Sequence, residues 1–223
     1  MSPSSAPQPA PAYQPPRHIA IEGPIRVGKS TLARILADRL SARRVLDPED
    51  NPFLADFYRE KPRAAFRAQM YFLIERHRRL SEGQQGGRAA PLVSDFLFEK
   101  DKIFAYVNLD NEELKLYERY FEMFAAGINP PDLVIYLQAT PEVLRERISK
   151  KQSPAEQHIS DAYLEEVIRA YEHFFFRYSA SDLLVINTSE IDFVERNADL
   201  QQLLRRLQAP VKGTQYFLPL SPD

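Results

Sequence analysis

Hydrophobic positions along the chain follow two periods, and the two periods alternate. Short apolar runs typical of buried strands occupy residues 18–22, 43–46, 91–95, 130–139 and 183–187. Between them, apolar residues spaced three and four apart predict helices over residues 29–40, 52–80, 97–106, 111–126, 140–150, 160–179 and 191–207. The second helical region should break near Lys61-Pro62, because proline disfavours helix at the preceding residue. Five strands alternating with helices predict an α/β fold, a parallel sheet flanked by helices on both faces.

The two ends of the chain differ from this pattern. Residues 1–16 contain six prolines and no long apolar run. Such a segment cannot bury enough apolar surface to offset the entropy of ordering, so we expect a disordered proline-rich tail. The folded domain is predicted to cover residues 17–210, with a C-terminal tail over residues 211–223.

Composition narrows the possible partners. A chain of 223 residues with a net charge of −2 gives no global electrostatic reason to bind nucleic acid or an anionic membrane. No apolar run approaches the roughly 18 residues that span a bilayer. Cysteine is absent, which excludes disulfides and thiol nucleophiles and suits a cytoplasmic protein.

A glycine-rich octamer after the first strand carries the clearest chemistry. The sequence GPIRVGKS at residues 23–30 fits G-x-x-x-x-G-K-[ST] and lies between a predicted strand and a predicted helix, as a phosphate-binding loop requires. Glycines let backbone amides approach phosphate oxygens, and the start of the following helix favours an anion. Lys29 is expected to reach the β- and γ-phosphates of ATP, and the Ser30 hydroxyl to bind Mg²⁺. The predicted nucleotide-binding residues are Gly23, Pro24, Ile25, Arg26, Val27, Gly28, Lys29, Ser30 and Thr31.

A GTPase-type switch is the main rival class. Guanine-specific switches usually carry N-K-x-D and D-x-x-G elements, and neither occurs in this chain. Asp95 ends the third predicted strand, where an acid can hold Mg²⁺ or its waters. A helix N-cap is the structural alternative for Asp95.

Five segments occur in order within about residues 17–195, namely IAIEGPIRVGKSTLA, DPEDNPFLADFYREKP, FEKDKIFA, DLVIYLQATPEVLRERI and a lid segment with EQHIS. Together they resemble the deoxynucleoside kinases, most closely the bacterial deoxyadenosine/deoxyguanosine kinase branch. The resemblance implies a P-loop kinase fold with a lid loop at about residues 150–158. It also implies a Mg²⁺-dependent, homodimeric enzyme that transfers the γ-phosphoryl group of ATP to the 5′-hydroxyl of a deoxyribonucleoside, with a purine favoured.

The resemblance implies that Asp47 orients the acceptor hydroxyl. The family has a glutamate at the matching position, so the carboxylate here has a shorter arm. Orienting the attacking hydroxyl matters more in phosphoryl transfer than base strength, and an aspartate can do this. Glu49 or Asp95 could serve instead, and Asp47 could simply begin a turn before Pro48.

The acceptor pocket is also placed by resemblance. Tyr58 and Gln69 match a sugar-contacting tyrosine and a base-reading glutamine, whose amide can both donate to and accept from a base edge. Arg76 matches a second base-pocket position, although a solvent-facing arginine is the simpler interpretation of its charged surroundings. Asp95 is included among the substrate-binding candidates. In the lid, Glu156 matches the acid that meets the sugar 3′-hydroxyl.

Basic residues of the lid complete the prediction, and here the chain departs from the family. Arg147 and Lys151 match two basic positions around the phosphates. The arginine that the family carries at the end of the third strand is missing from Ser94-Asp95-Phe96, and a lid arginine is missing from Lys151-Gln152-Ser153.

Arg26 is the candidate to replace this lost charge, because a guanidinium in the fourth loop position could fold over the γ-phosphate; a tolerant, solvent-exposed position is the alternative. The same arginine occurs in some thymidylate kinases, so a thymidylate-kinase-like nucleoside monophosphate kinase is the second hypothesis. A non-catalytic ATP-binding module is the third.

Overall fold

The computed structural model describes residues 15–85, 90–153, 156–189, 191, 193 and 196–217. Most of the predicted proline-rich tail, two residues of the predicted lid and the last six residues of the predicted C-terminal tail lie outside these ranges. Among the described residues, no helix combines the length and the apolar character needed to cross a membrane.

Strands and helices alternate along the chain as the apolar pattern predicts. The strands are β1 (His18–Glu22), β2 (Arg43–Val45), β3 (Leu92–Ser94), β4 (Leu133–Gln138), β5 (Asp182–Asn187) and β6 (Thr214–Phe217). The helices are α1 (Lys29–Leu40), α2 (Leu54–Tyr58), α3 (Ala64–Gln84), α4 (Lys100–Asn108), α5 (Asn111–Ala125), α6 (Pro141–Lys151), α7 (Asp161–Phe176) and α8 (Asn197–Leu207). A short 3₁₀ turn covers Glu156–His158. The predicted break near Lys61-Pro62 is confirmed, since it separates α2 from α3.

All six strands form one parallel sheet in the order β2-β3-β1-β4-β5-β6. The predicted parallel α/β fold is confirmed, but the predicted count of five strands is wrong. The sixth strand, β6, pairs with β5 from Leu183 opposite Thr214 to Ile186 opposite Phe217. It has only four residues at the edge of the sheet, with Tyr216 exposed and Phe217 buried. So short an apolar pattern is a weak signal for a strand.

The sheet buries both of its faces. Alternate residues of a strand point to opposite faces, so Ile19 and Ile21 of β1 pack against α1, whereas Ala20 lies in the other cluster with residues of α4 and α7. A third cluster joins β2 and β3 to α3 and α5. Strands buried on both sides read as continuous apolar runs, which explains why their positions could be predicted.

The topology brings three acidic residues to one edge. Glu22 is the last residue of β1, Asp95 directly follows β3, and Asp47 lies two residues beyond β2. These strands are neighbours and parallel, so their carboxyl ends meet at the same edge, where α/β sheets bind ligands. The glycine-rich loop leaves the sheet at this edge as well.

Candidate active site

The glycine-rich loop has the backbone that its sequence requires. Gly23 has φ +151° and Gly28 has φ +111°. A Cβ atom at Gly23 would lie 2.3 Å from the carbonyl oxygen of Leu137, so the close approach of β4 also requires glycine there. Helix α1 starts at Lys29 with no side-chain cap and no acidic residue in its first turn. Its first amides therefore remain available to an anion.

Lys29 curls back over the loop that precedes it. Its Nζ donates hydrogen bonds to the carbonyl oxygens of Gly23 at 2.7 Å and Pro24 at 2.9 Å. Burial, followed by the charge of Lys100, lowers the pKa of Lys29 to about 8. Nearby carboxylates oppose this shift, and they belong to Glu22, Asp47 and Asp95. The loop lysine thus lies within a cluster of alternating charges.

Glu22 is a buried acid that the sequence analysis did not single out. Its carboxylate accepts hydrogen bonds from the amides of Gly23 and Leu97, each at 2.8 Å, and from the Tyr171 hydroxyl at 3.0 Å. It ties the first residue of the loop to the segment after β3 and to α7. An acid at the end of an apolar run was the available signal.

Asp47 lies between two cations. Its carboxylate accepts from Arg76 Nε at 2.7 Å and from Lys100 Nζ at 2.5 Å, while its own amide donates to Asp95 Oδ1 at 2.5 Å. Burial opposes ionisation, but the charges and hydrogen bonds of Arg76 and Lys100 hold the pKa of Asp47 well below its ordinary value. Asp47 is therefore ionised at neutral pH. Glu49, the alternative base, has an exposed side chain.

Gln69 and Arg76 lie close together, and both contact a residue that was not predicted to have a role. Both contact Asp101, which is fully buried at the start of α4. Gln69 Nε2 also donates to the Asp101 carbonyl oxygen at 2.8 Å, and the Tyr117 hydroxyl donates to the Asp101 carboxylate at 3.0 Å. Burial raises the pKa of Asp101, against the opposing charge of Arg76.

Arg76 is only 3% exposed, so it is not the solvent-facing arginine that its charged neighbours in the sequence favoured. Its guanidinium bridges Asp47 and Asp101 and lies 4.4 Å from the centroid of the Phe72 ring. The segment FEKDKIFA supplies both Asp101 and Lys100. It supported the family resemblance, but its charges had no predicted role.

Tyr58, Arg26 and Glu156 form a second group near the loop. Arg26 donates from Nε and NH2 to the two carboxylate oxygens of Glu156, each at 2.7 Å. The Tyr58 ring packs against Phe57 and Tyr163. Burial, then the charges of Tyr163 and Glu156, raise the pKa of Tyr58, whereas Arg26 lowers it. The loop arginine thus contacts the lid acid.

The two predicted basic residues of the lid both lie on α6 but differ in their surroundings. Arg147 donates from NH1 to the carbonyl oxygen of Val27 and to Thr188 Oγ1, both at 3.1 Å, and from NH2 to the Thr188 carbonyl at 3.0 Å. It braces the back of the glycine-rich loop against the end of β5. Lys151 is exposed at the last position of α6. Catalysis by Arg147 and phosphate contact by Lys151 stay predictions.

The edge of the sheet offers oxygen donors of the kind that Mg²⁺ prefers. The Ser30 side chain is exposed in the first turn of α1, and Asp95 is buried beside Asp47. In the part of the chain that the structure describes, no group of three or more metal-ligating residues occurs. One hydroxyl and one carboxylate fit a Mg²⁺ ion that takes its other ligands from water and substrate phosphates.

Comparison with known proteins gives a consistent family. The deoxynucleoside kinase family model matches residues 19–212. The chain is 30% identical to deoxyguanosine kinase of Bacillus subtilis (strain 168), over 83% of this chain and 93% of that protein. It is 29% identical to deoxyadenosine kinase of Lactobacillus acidophilus, over 87% of this chain and 96% of that protein.

A solved structure gives the same fold. The structure of deoxyadenosine kinase from M. mycoides with bound dATP superposes with a TM-score of 0.75 at 24% identity, covering 86% of this chain and 100% of that chain. The similarity supports the predicted P-loop kinase fold at the level of architecture.

Proposed function

Because the chain belongs to the deoxynucleoside kinase family, we propose that it transfers the γ-phosphoryl group of ATP to the 5′-hydroxyl of a deoxyribonucleoside. A purine, deoxyadenosine or deoxyguanosine, is the favoured acceptor, because several similar proteins are named for these nucleosides. The observation that carries the proposal is the position of Asp47, ionised and held by Arg76 and Lys100 close to the lysine of the phosphate loop.

In the proposed reaction, Asp47 accepts a hydrogen bond from the 5′-hydroxyl and so directs the hydroxyl oxygen at the γ-phosphorus of ATP. A new bond forms between this hydroxyl oxygen and phosphorus, the bond from phosphorus to the β–γ bridging oxygen breaks, and ADP leaves. The hydroxyl proton passes to Asp47 and from there to solvent. The low pKa of Asp47 suits orientation rather than strong basicity, which is what a loose phosphoryl-transfer transition state needs.

Cations of the chain would neutralise the charge on the transferred group. The loop amides and Lys29 bind the β- and γ-phosphates, and Arg26 adds a guanidinium at the mouth of the loop. Lys100 contacts Asp47, so it lies beside the carboxylate that is proposed to hold the acceptor hydroxyl. Ser30 and Asp95 would hold Mg²⁺, which would supply charge neutralisation for the phosphates of ATP.

The acceptor would bind between two groups. Tyr58 is proposed to donate a hydrogen bond to the sugar 3′-hydroxyl, and the Glu156 carboxylate to accept one from it. Gln69 and Arg76 are proposed to contact the edge of the base. Gln69 directs its Nε2 to Asp101, which leaves its carbonyl oxygen as the group offered to a base amine.

The monophosphate kinase hypothesis requires cations for an acceptor phosphate. Arg76 is the buried arginine on the acceptor side, and its donors contact the carboxylates of Asp47 and Asp101. A phosphate there would have to displace a buried ion pair. This arrangement favours an uncharged nucleoside as the acceptor. An ATP-binding module without catalysis would bind ATP with no release of ADP that depends on an acceptor.

An acceptor screen tests the proposal. Purified protein with ATP and Mg²⁺ is assayed for ADP release with each deoxynucleoside, each ribonucleoside and each deoxynucleoside monophosphate. We expect turnover with deoxyadenosine or deoxyguanosine, and a loss of kcat of about 100-fold or more in Asp47→Asn with ATP binding retained. Asp38→Asn, at an exposed position of α1, is the matched control. Turnover with monophosphates alone, or ATP binding without any acceptor-dependent turnover, would refute the proposal.

We also propose that the enzyme is a cytoplasmic homodimer. Helix α5 carries Leu116, Tyr120 and Met123, exposed by 44%, 40% and 72%, at the spacing of one helix face. Tyr106 of α4 is 58% exposed. An apolar surface of this kind commonly marks a protein contact. Light scattering of the wild type and of Met123→Lys tests the dimer, and a monomeric wild type would contradict it.

A further inference from the structure

A bidentate ion pair joins the phosphate loop to the lid. Arg26 and Glu156 are separated by 130 positions in the chain, and both hydrogen bonds between them measure 2.7 Å. The side chains are 29% and 16% exposed. Arg26 has φ +61°, in the left-handed region that residues other than glycine rarely adopt. The loop therefore turns this side chain toward the lid at some conformational cost.

Neither partner uses all of its hydrogen-bonding capacity in this pair. A guanidinium has five N–H donors, and the edge of Arg26 formed by Nε and NH2 binds the carboxylate. Among the described residues, NH1 of Arg26 has no acceptor. Each oxygen of Glu156 has a further lone pair. The pair could therefore hold a phosphate oxygen on the arginine side and a hydroxyl on the carboxylate side without separating.

Tyr58 connects this pair to the proposed sugar site. Its hydroxyl lies close enough to Glu156 and Arg26 for both charges to act on it. A sugar hydroxyl that contacts Tyr58 and Glu156 would therefore be separated from Arg26 only by the Glu156 side chain. In this geometry Glu156 contacts the loop through Arg26 and would contact the acceptor on its other side.

We propose that Glu156 is a positioning residue for phosphoryl transfer, which holds Arg26 with its free NH1 edge toward the transferred phosphate while its carboxylate also reads the sugar. The inference rests on the proposed function and deepens it. Recognition of the acceptor and organisation of the phosphate loop then share one carboxylate. A correct sugar fixes Glu156, and Glu156 in turn fixes the arginine.

A nucleoside that lacks the 3′-hydroxyl separates the two roles of Glu156. Wild type and Glu156→Gln are compared with deoxyadenosine and with 2′,3′-dideoxyadenosine. A residue that only reads the sugar would have no effect on the dideoxy acceptor. We expect Glu156→Gln to lower kcat at least 10-fold with both acceptors, because an amide has one acceptor oxygen and cannot accept both hydrogen bonds of the guanidinium. The KM for ATP should change by less than about threefold.

A double-mutant cycle identifies the partner. If Glu156 acts through Arg26, Arg26→Ala with Glu156→Gln should lose no more kcat toward the dideoxy acceptor than Arg26→Ala alone. The same cycle with deoxyadenosine should show a non-additivity at least as large, in addition to the loss of the direct contact between Glu156 and the sugar. Glu146→Gln, which breaks the exposed Glu146–Lys150 pair of α6, is the matched control and should leave kcat unchanged. Independent, multiplying losses would overturn the inference.

A measurement without turnover distinguishes this inference from the proposed function. Amide hydrogen exchange is followed in the peptides that cover residues 23–30 and 156–160, with a non-hydrolysable ATP analogue bound. We expect Glu156→Gln to speed exchange in the loop and Arg26→Ala to speed exchange in the lid. Mutual protection in a protein that phosphorylates no nucleoside would refute the proposed function but support the link. Normal nucleoside turnover with no effect of Glu156→Gln on the dideoxy acceptor would overturn the inference alone.

Discussion

Replacing Lys100 by methionine tests the electrostatics of the site most directly. Lys100 is 3% exposed, lies 2.5 Å from Asp47 and 4.0 Å from Glu22, and was not predicted to have a role. Methionine preserves much of the volume and removes the charge. Of the two cations that contact Asp47, Arg76 would then remain.

The size of the effect follows from the contact and its burial. Two unit charges about 4 Å apart attract by about 4 kcal/mol at an effective dielectric constant of about 20. Removing one partner of a buried pair costs about 3–5 kcal/mol. The Asp47 side chain is 22% exposed and keeps Arg76, so we expect a loss of about 2–3 kcal/mol in unfolding free energy. A similar loss in the transition state lowers kcat by about 30- to 150-fold.

Urea denaturation and steady-state kinetics measure the two losses separately. The double variant Asp47→Asn, Lys100→Met should be more stable than the sum of the single losses predicts, by about 2–3 kcal/mol of coupling. Lys102→Met is the control, since Lys102 is on the same helix but contacts the Phe121 ring instead. Unchanged kcat in Lys100→Met, or additive losses of stability, would refute the assignment of Lys100 to Asp47.

Three further predictions concern the loop and the first strand. Gly23→Ala should weaken ATP binding by at least about 10-fold, because its Cβ would meet Leu137, whereas Gly127→Ala should not; calorimetry decides. The Kd for ATP should rise above pH 8, by up to about tenfold per pH unit, because bound phosphate favours protonated Lys29, whose pKa is about 8 in the free protein; a flat profile to pH 9.5 would contradict this. Burial lowers the pKa of His18 from 6.5 to about 4, so the unfolded chain binds the proton first and stability should fall by up to about 3 kcal/mol between pH 6.5 and pH 4; the loss should be smaller in His18→Asn.

Local sequence was sufficient for the phosphate loop and for most of the sheet. The glycine-rich loop is specified by an eight-residue spacing, and the strands of a doubly covered sheet are apolar almost throughout. Edge strand β6 escaped prediction because one face of it meets solvent and its four residues alternate. The number of strands therefore depended on a contact with β5 that no local pattern contains.

The buried charges of the site could not be predicted for a different reason. Asp101 meets Gln69 across 32 residues, and Lys100 meets Asp47 across 53. A charged residue within a helix is usually solvated, so its sequence surroundings favour exposure. A charged side chain can be buried only where an opposite charge or a hydrogen bond offsets the cost of removing it from water. Which partner is available depends on which helix ends the sheet brings together.

The positions of Arg26 and Lys100 bear on how the missing arginines are replaced. From the sequence, Arg26 alone was predicted to replace their charge. Arg26 is bound to Glu156, so part of its charge is neutralised and its orientation depends on the lid. Lys100 lies beside Asp47 and lowers the pKa of both Asp47 and Lys29, which places it on the acceptor side if Asp47 has its proposed role. We therefore propose that the two cations serve opposite ends of the transferred group. If so, the loss of kcat in Arg26→Ala should depend on whether the acceptor has a 3′-hydroxyl, because Glu156 connects Arg26 to the sugar. The loss of kcat in Lys100→Met should not depend on this hydroxyl. Equal dependence in the two variants would show that both cations act as one charge.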